Sequence, residues 1–208
     1  MENGEYLQMD RHPYRAGAVK FAFWFLEFRK EVELLQAGKS FEEIKTLSEE
    51  GNLFGTQTSA RAKMIYSTVS GRIKALGDDF YELFLGSDIA TQKLIVLAGI
   101  MASDTLFFDF VYEVIREKML IGSNTFTDAD IRVFFHNKQV QDEVVGRWTD
   151  QTLGRLGQTY KQYLQNAGMT DDGKKERKIL KPILDSSLEH WLQDHEMTVV
   201  VKALTGEA

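Results

Sequence analysis

Proline occurs only twice in 208 residues, at Pro13 and Pro182, so residues 14–181 form one uninterrupted proline-free run. Proline removes a backbone donor and breaks helices. A long stretch without it points to a chain built from long helices. Hydrophobic residues make up 43% and charged residues 27%, enough to bury a core without staples. Cysteine is absent, which excludes a disulfide framework, zinc–thiolate sites and iron–sulfur clusters, and suits a reducing cytoplasm.

The helical period is legible in many places. Ala18, Phe21, Ala22, Phe25, Phe28, Val32 and Leu35 recur at helical spacing and predict a first helix over 14–36, stopped by Gly38. Ser40 and Glu43 read as a capping box opening a short helix with Phe41, Ile44 and Leu47 inside. After the linker GNLFGTQTS comes a helix over 59–76, with Ile65, Val69, Ile73 and Leu76 on one face. Gly71 within it suggests a close backbone approach. Further helices are expected over 79–85, 88–101, 105–120, 128–135 and 150–166, with Thr127 or Asp128 and Thr149 or Asp150 as N-caps.

Beyond Gly168 the character changes. TDDGKKERK is turn-like, ILKPIL is β-branched and broken by Pro182, and Ser186 to Glu189 resembles another cap. MTVVVKAL at 197–204 has strand propensity. The expected fold is therefore mainly α: a helical bundle over 1–146, with a possible helix-turn-helix-like pair at 40–76, and a smaller winged-helix-like unit over 147–208. The polar opening MENGEYLQMDRHPYR does not resemble a secretory signal. The most apolar run, Leu94 to Ala102, is shorter than the roughly 20 residues of a membrane span. No membrane association and a cytoplasmic location are expected.

Catalytic and cofactor motifs are missing. His190 and His195 are five apart, the wrong spacing for a paired metal site on a helix. Neither GxxxxGK[ST] nor GxGxxG nor GxSxG occurs, and Gly154-Arg-Leu-Gly157 has the wrong spacing for a phosphate loop. No enzymatic activity, cofactor or metal is expected.

Charge is the informative quantity. The net charge of −6 argues against coating nucleic acid by bulk charge, but the charges are segregated. No acid occurs in 51–77, which carries Arg61, Lys63, Arg72 and Lys74. Residues 11–26 hold Arg11, Arg15 and Lys20 without an acid, and 151–170 hold Arg155 and Lys161. Six acids against Lys93 alone occupy 77–109. Hydroxyls at Thr56, Thr58, Ser59, Ser67, Thr68 and Ser70 would add phosphate contacts around the 59–76 helix. Lys174, Lys175, Arg177, Lys178 and Lys181 form a second basic group, suited to a wing on a phosphate backbone or to a solvated loop. The candidate DNA contacts are thus Arg61, Lys63, Arg72, Lys74, Lys161, Lys174, Lys175, Arg177 and Lys178, set against an ordinary solvated helix face.

The blocks DFVYEVIREKML (109–120), FTDADIRVFFHNKQ (126–139) and RWTDQTLGRLGQTYKQYLQNAGM (147–169) resemble the BrxA family of bacteriophage-exclusion (BREX) systems, as do 40–76 and the closing KALTGE. That resemblance implies a non-enzymatic component of phage defence, encoded beside a methyltransferase, a large ATPase and a phosphatase-like protein. It implies contact with duplex DNA, in agreement with the acid-free segments, and assembly with other BREX proteins such as the methyltransferase or ATPase; the alternative is a protein–protein adaptor without direct DNA contact.

Overall fold

A computed structural model describes residues 11–208; the polar stretch 1–10 lies outside them. The helix expected over 14–36 starts only at Phe25. Residues 11–24 instead form a strap with a 3-10 turn at Gly17–Lys20, and α1 spans Phe25–Gln36. The cause is distant in sequence. The carbonyls of Ala22 and Phe23, which a helix would need for its next turn, accept from the Arg72 guanidinium at 3.0 and 2.8 Å. Trp24 then enters α1 in the left-handed region, at φ 53°.

Local chemistry fixes the next elements as expected. Ser40 and Glu43 make a reciprocal capping box for α2 (Phe41–Glu49). Thr58 accepts from the Arg61 amide at 3.2 Å and opens α3 (Ser59–Leu76). The short α4 (Tyr81–Gly86) leads to α5 (Ile89–Ser103), capped by Asp88. α5 lies close along α3 because Gly99 lacks a side chain: a Cβ there would sit 3.0 Å from the Arg72 carbonyl oxygen. The close approach therefore falls at Gly99 and not at Gly71, where an added Cβ would meet nothing within 4 Å.

At Asp104 the chain turns by 113°. Asp104 accepts from the Phe107 amide and caps α6 (Thr105–Phe110), which runs through a π-helical turn, Val111–Arg116, into α7 (Glu117–Leu120). Leu94 to Ala102 is wholly buried. Among the described residues no single helix is long and apolar enough to cross a membrane.

Thr127 caps α8 (Asp128–Gln141), α9 spans Glu143–Gly146, and Thr149 caps α10 (Asp150–Asn166). A two-stranded antiparallel ribbon pairs β1 (Thr125–Thr127) with β2 (Glu176–Lys178), Phe126 opposite Arg177. The strands come from either side of the boundary expected near 146. Asp185, not Ser186, caps α11 (Ser186–Asp194). The strand expected over 197–204 is instead α12 (Thr198–Thr205). Its valines are buried on every side, with α12 packed on the π-helical turn, and such packing overrides intrinsic strand preference. A winged-helix order ending in a strand is not what forms. One continuous core runs from Ala18 to Leu204.

Candidate nucleic-acid interface

The basic residues of α3 divide by the direction in which the helix presents them. Arg61, Lys63 and Lys74 are exposed. The Arg61 guanidinium lies 5.3 Å from the Trp24 ring centre, and the Lys74 ammonium 4.4 Å from that of Phe41. Lys63 sits 3.5 Å from Glu49, an exposed pairing of small energetic weight. Arg72, on the side of α3 away from Lys63 and Lys74, is only 2% exposed. Besides the two strap carbonyls it donates to the Tyr163 hydroxyl, and its guanidinium stacks near Trp24 and Tyr163. A residue so enclosed is not available to a DNA phosphate, so Arg72 leaves the set of direct contacts.

Lys161 leaves it for the same reason. It is 5% exposed and pairs with Asp128 at 2.7 Å. The second basic group is better placed. Lys174, Lys175, Lys178 and Lys181 are exposed, while Arg177 is half-buried and donates to the Asp171 carbonyl at 3.0 Å. The Asp171 carboxylate accepts from the amides of Lys178 and Gly173, which shapes the turn and holds its carboxyl below the usual range.

The three acid-free segments do converge, and they do so at Arg72. This residue of 51–77 grips carbonyls of 11–26 and a hydroxyl of 151–170. Charge counting marked these segments but could not show which cation turns inward. Of the hydroxyls around α3, Ser70 is buried and bonded to Glu31, while Ser59 and Ser67 are exposed. Burial pushes the Glu31 carboxyl up to about 8, against the pull of Ser70 and Lys74. Glu31 is therefore mostly neutral at pH 7 and does little to cancel the charge of α3.

No motif or spacing in the chain announces a buried cluster around Asp109. Asp109, fully buried, accepts from Arg11 at 2.9 Å, from the Tyr14 hydroxyl at 2.6 Å and from Lys138 at 3.1 Å. Lys138 also pairs with Glu113 at 2.7 Å. These bonds tie the strap to α6 and α8. His195 is held between the Trp191 carbonyl and Asp79, both at 2.7 Å. Among the described residues no group of three or more His, Asp or Glu is placed to hold a metal ion. A cavity of about 540 Å³ lies between α8 and α10, floored by Ile131, Phe135 and Leu153 and rimmed by Arg132, His136 and Gln158.

These features define a mainly helical protein with exposed cations on one helix and one ribbon turn. The chain belongs to the BrxA family, whose model matches residues 12–196. Over 183 residues it is 37% identical to the BREX protein BrxA of Bacillus cereus (strain H3081.97), covering 88% of this chain and 92% of that one. Membership places it among the components of BREX phage-defence systems. The crystal structure of an uncharacterized protein from Magnetospirillum magneticum shares the fold, with a TM-score of 0.78 over 93% of this chain and 99% of that one, at 17% identity.

Proposed function

We propose that this chain is a non-catalytic, cytoplasmic BREX component that binds duplex DNA through its phosphate backbone and assembles with other BREX proteins, such as the methyltransferase or the ATPase. The observation that carries the reading is the three exposed cations Arg61, Lys63 and Lys74 on a helix without an acid, in a chain of net charge −6. Lys63 and Lys74 are eleven residues apart, about three turns or roughly 16 Å along the axis, a span of a few phosphate steps. Lys174, Lys175, Lys178 and, beside them, Arg177 offer a second backbone contact. Cations aimed at phosphates supply affinity without reading bases, so binding should show little sequence preference. The test is fluorescence anisotropy on unrelated duplexes over a salt series. Exchanging Arg61, Lys63 and Lys74 for alanine should weaken all duplexes alike and reduce the salt slope by about 0.9 per lost contact. A folded triple variant with unchanged affinity and slope rules this helix out.

An adaptor role without DNA contact is favoured by one feature. Ile121, Val133, Val140 and Val144 are 77%, 59%, 76% and 53% exposed, in and around α8. Recovery of BREX proteins from cells carrying the whole operon, unchanged by nuclease, would support that role.

A further inference from the structure

Beside the exposed edge of α3 lies a second cavity, of about 280 Å³, between the strap, α3, the α5–α6 turn and α10. We infer that this cavity is a site for a single phosphate group, held by Arg15 and Ser67 at the rim with the charge of Arg72 behind them.

Beside the α5–α6 turn, the walls come from the three acid-free segments: His12 and Arg15 from the strap, Ser67, Thr68 and Arg72 from α3, and Tyr163 from α10. Arg15 is exposed and makes no ion pair with a described residue. Ser67 is exposed, and its hydroxyl has no hydrogen bond to a described residue. Arg72 carries five N–H donors and makes three hydrogen bonds, so two donors have no partner among the described residues. Tyr163 accepts from Arg72 and keeps its own proton to give. An exposed arginine and free hydroxyls at the rim, with the positive charge of a buried guanidinium behind them, suit a tetrahedral oxyanion. Gly17 and Gly71 in the lining leave the mouth without side chains. Asp104 is the one carboxylate among the lining residues. It is turned toward the Phe107 amide and opposed by Arg72.

The position extends the proposed DNA surface. Lys63, Ser67, Gly71 and Lys74 lie on successive turns of one side of α3, so the cavity opens beside the exposed lysines. A backbone phosphate seated there would fix the register of a strand whose neighbouring phosphates meet Lys63 and Lys74. The inference rests on the DNA reading for the source of the phosphate only; a free phosphate-bearing small molecule presents the same chemistry.

The test uses the full chain and two probes, inorganic phosphate followed by calorimetry, and a duplex followed by anisotropy. The variant is Arg15→Ala with Ser67→Ala, both exposed positions outside the fold's hydrogen bonds. Inorganic phosphate should bind the natural chain, and the double variant about tenfold more weakly. Asp104→Asn, which keeps a capping side chain, should bind phosphate several-fold more tightly. If duplex affinity falls together with phosphate affinity, the group is a DNA backbone phosphate. If duplex binding is unchanged while phosphate binding falls, the site stands and serves a small molecule. If the natural chain binds no phosphate, or the double variant binds it equally well, the inference is overturned. The DNA reading is judged separately by the triple variant on α3.

Discussion

Arg72 on α3 donates to the hydroxyl of Tyr163 on α10 across 3.2 Å, although 91 residues separate the two in the chain. The same guanidinium holds the strap by the carbonyls of Ala22 and Phe23. Removing it leaves three acceptors without this donor, two of them buried, and opens a space between Trp24 and Tyr163. Arg72→Ala should cost at least about 3 kcal/mol, since each abandoned buried group carries its own desolvation penalty. Urea unfolding measures this, and a loss below about 1 kcal/mol would show that the strap is held by something else.

Glu31 makes stability depend on pH. Its folded pKa is about 8, raised by burial from 4.5, so between those values the folded state holds a proton that the unfolded state has released. Stability should therefore fall as pH rises from about 4.5 and level off above about 8, by a few kcal/mol in all. Glu31→Gln should flatten that portion of the profile and exceed the natural chain in stability at pH 8. Unfolding midpoints from pH 5 to 9 decide it; an identical slope in the variant contradicts the assignment.

Tyr160 is fully buried and its hydroxyl has no hydrogen-bond partner among the described residues. The ring is packed by Phe107, Phe110 and Phe135 at centroid distances of 5.0, 5.4 and 5.8 Å. Tyr160→Phe keeps those contacts and removes an unpaired polar atom, so it should raise stability by about 1 kcal/mol. Calorimetric melting tests it, with a lowered midpoint as the opposing result.

Gly157 sets the distance between α8 and α10. A Cβ there would lie 2.9 Å from Cγ2 of Ile131, so the Ile131 side chain or the helices must shift to admit it. Gly157→Ala should cost about 1–3 kcal/mol through overpacking. Ile131→Ala should then cost less in that background than alone, because it removes the clash. A double-mutant cycle with no coupling would count against it.

What could be read from the sequence was what short-range chemistry decides. The caps at Ser40, Thr127 and Thr149 depend on residues three positions away and form as their spacing predicts. The start of α1 depends on Arg72, some fifty residues on, which no local period records. The final helix reads as a strand because its valines announce β preference, while burial against the π-helical turn decides otherwise. The ribbon went unseen because each strand has three residues and β2, Glu-Arg-Lys, carries no alternation of polarity. Charge segregation located the candidate interface, but a count of cations cannot tell Arg72 and Lys161, turned inward, from Lys63 and Lys74, turned out.

The strap also sets a schedule for synthesis. Arg11 is made 98 residues before Asp109, and Tyr14 124 residues before Lys138. At about 5–20 residues per second, the ribosome needs roughly 5–20 s to make the first of these partners after Arg11, and longer for Tyr163. Until then the strap is held by Arg72 of α3 through the carbonyls of Ala22 and Phe23, without the buried Asp109 anchor. The strap is thus made well before most of the residues that fix it, and a chain cut short before α6 lacks the Asp109 carboxylate that binds Arg11 and Tyr14.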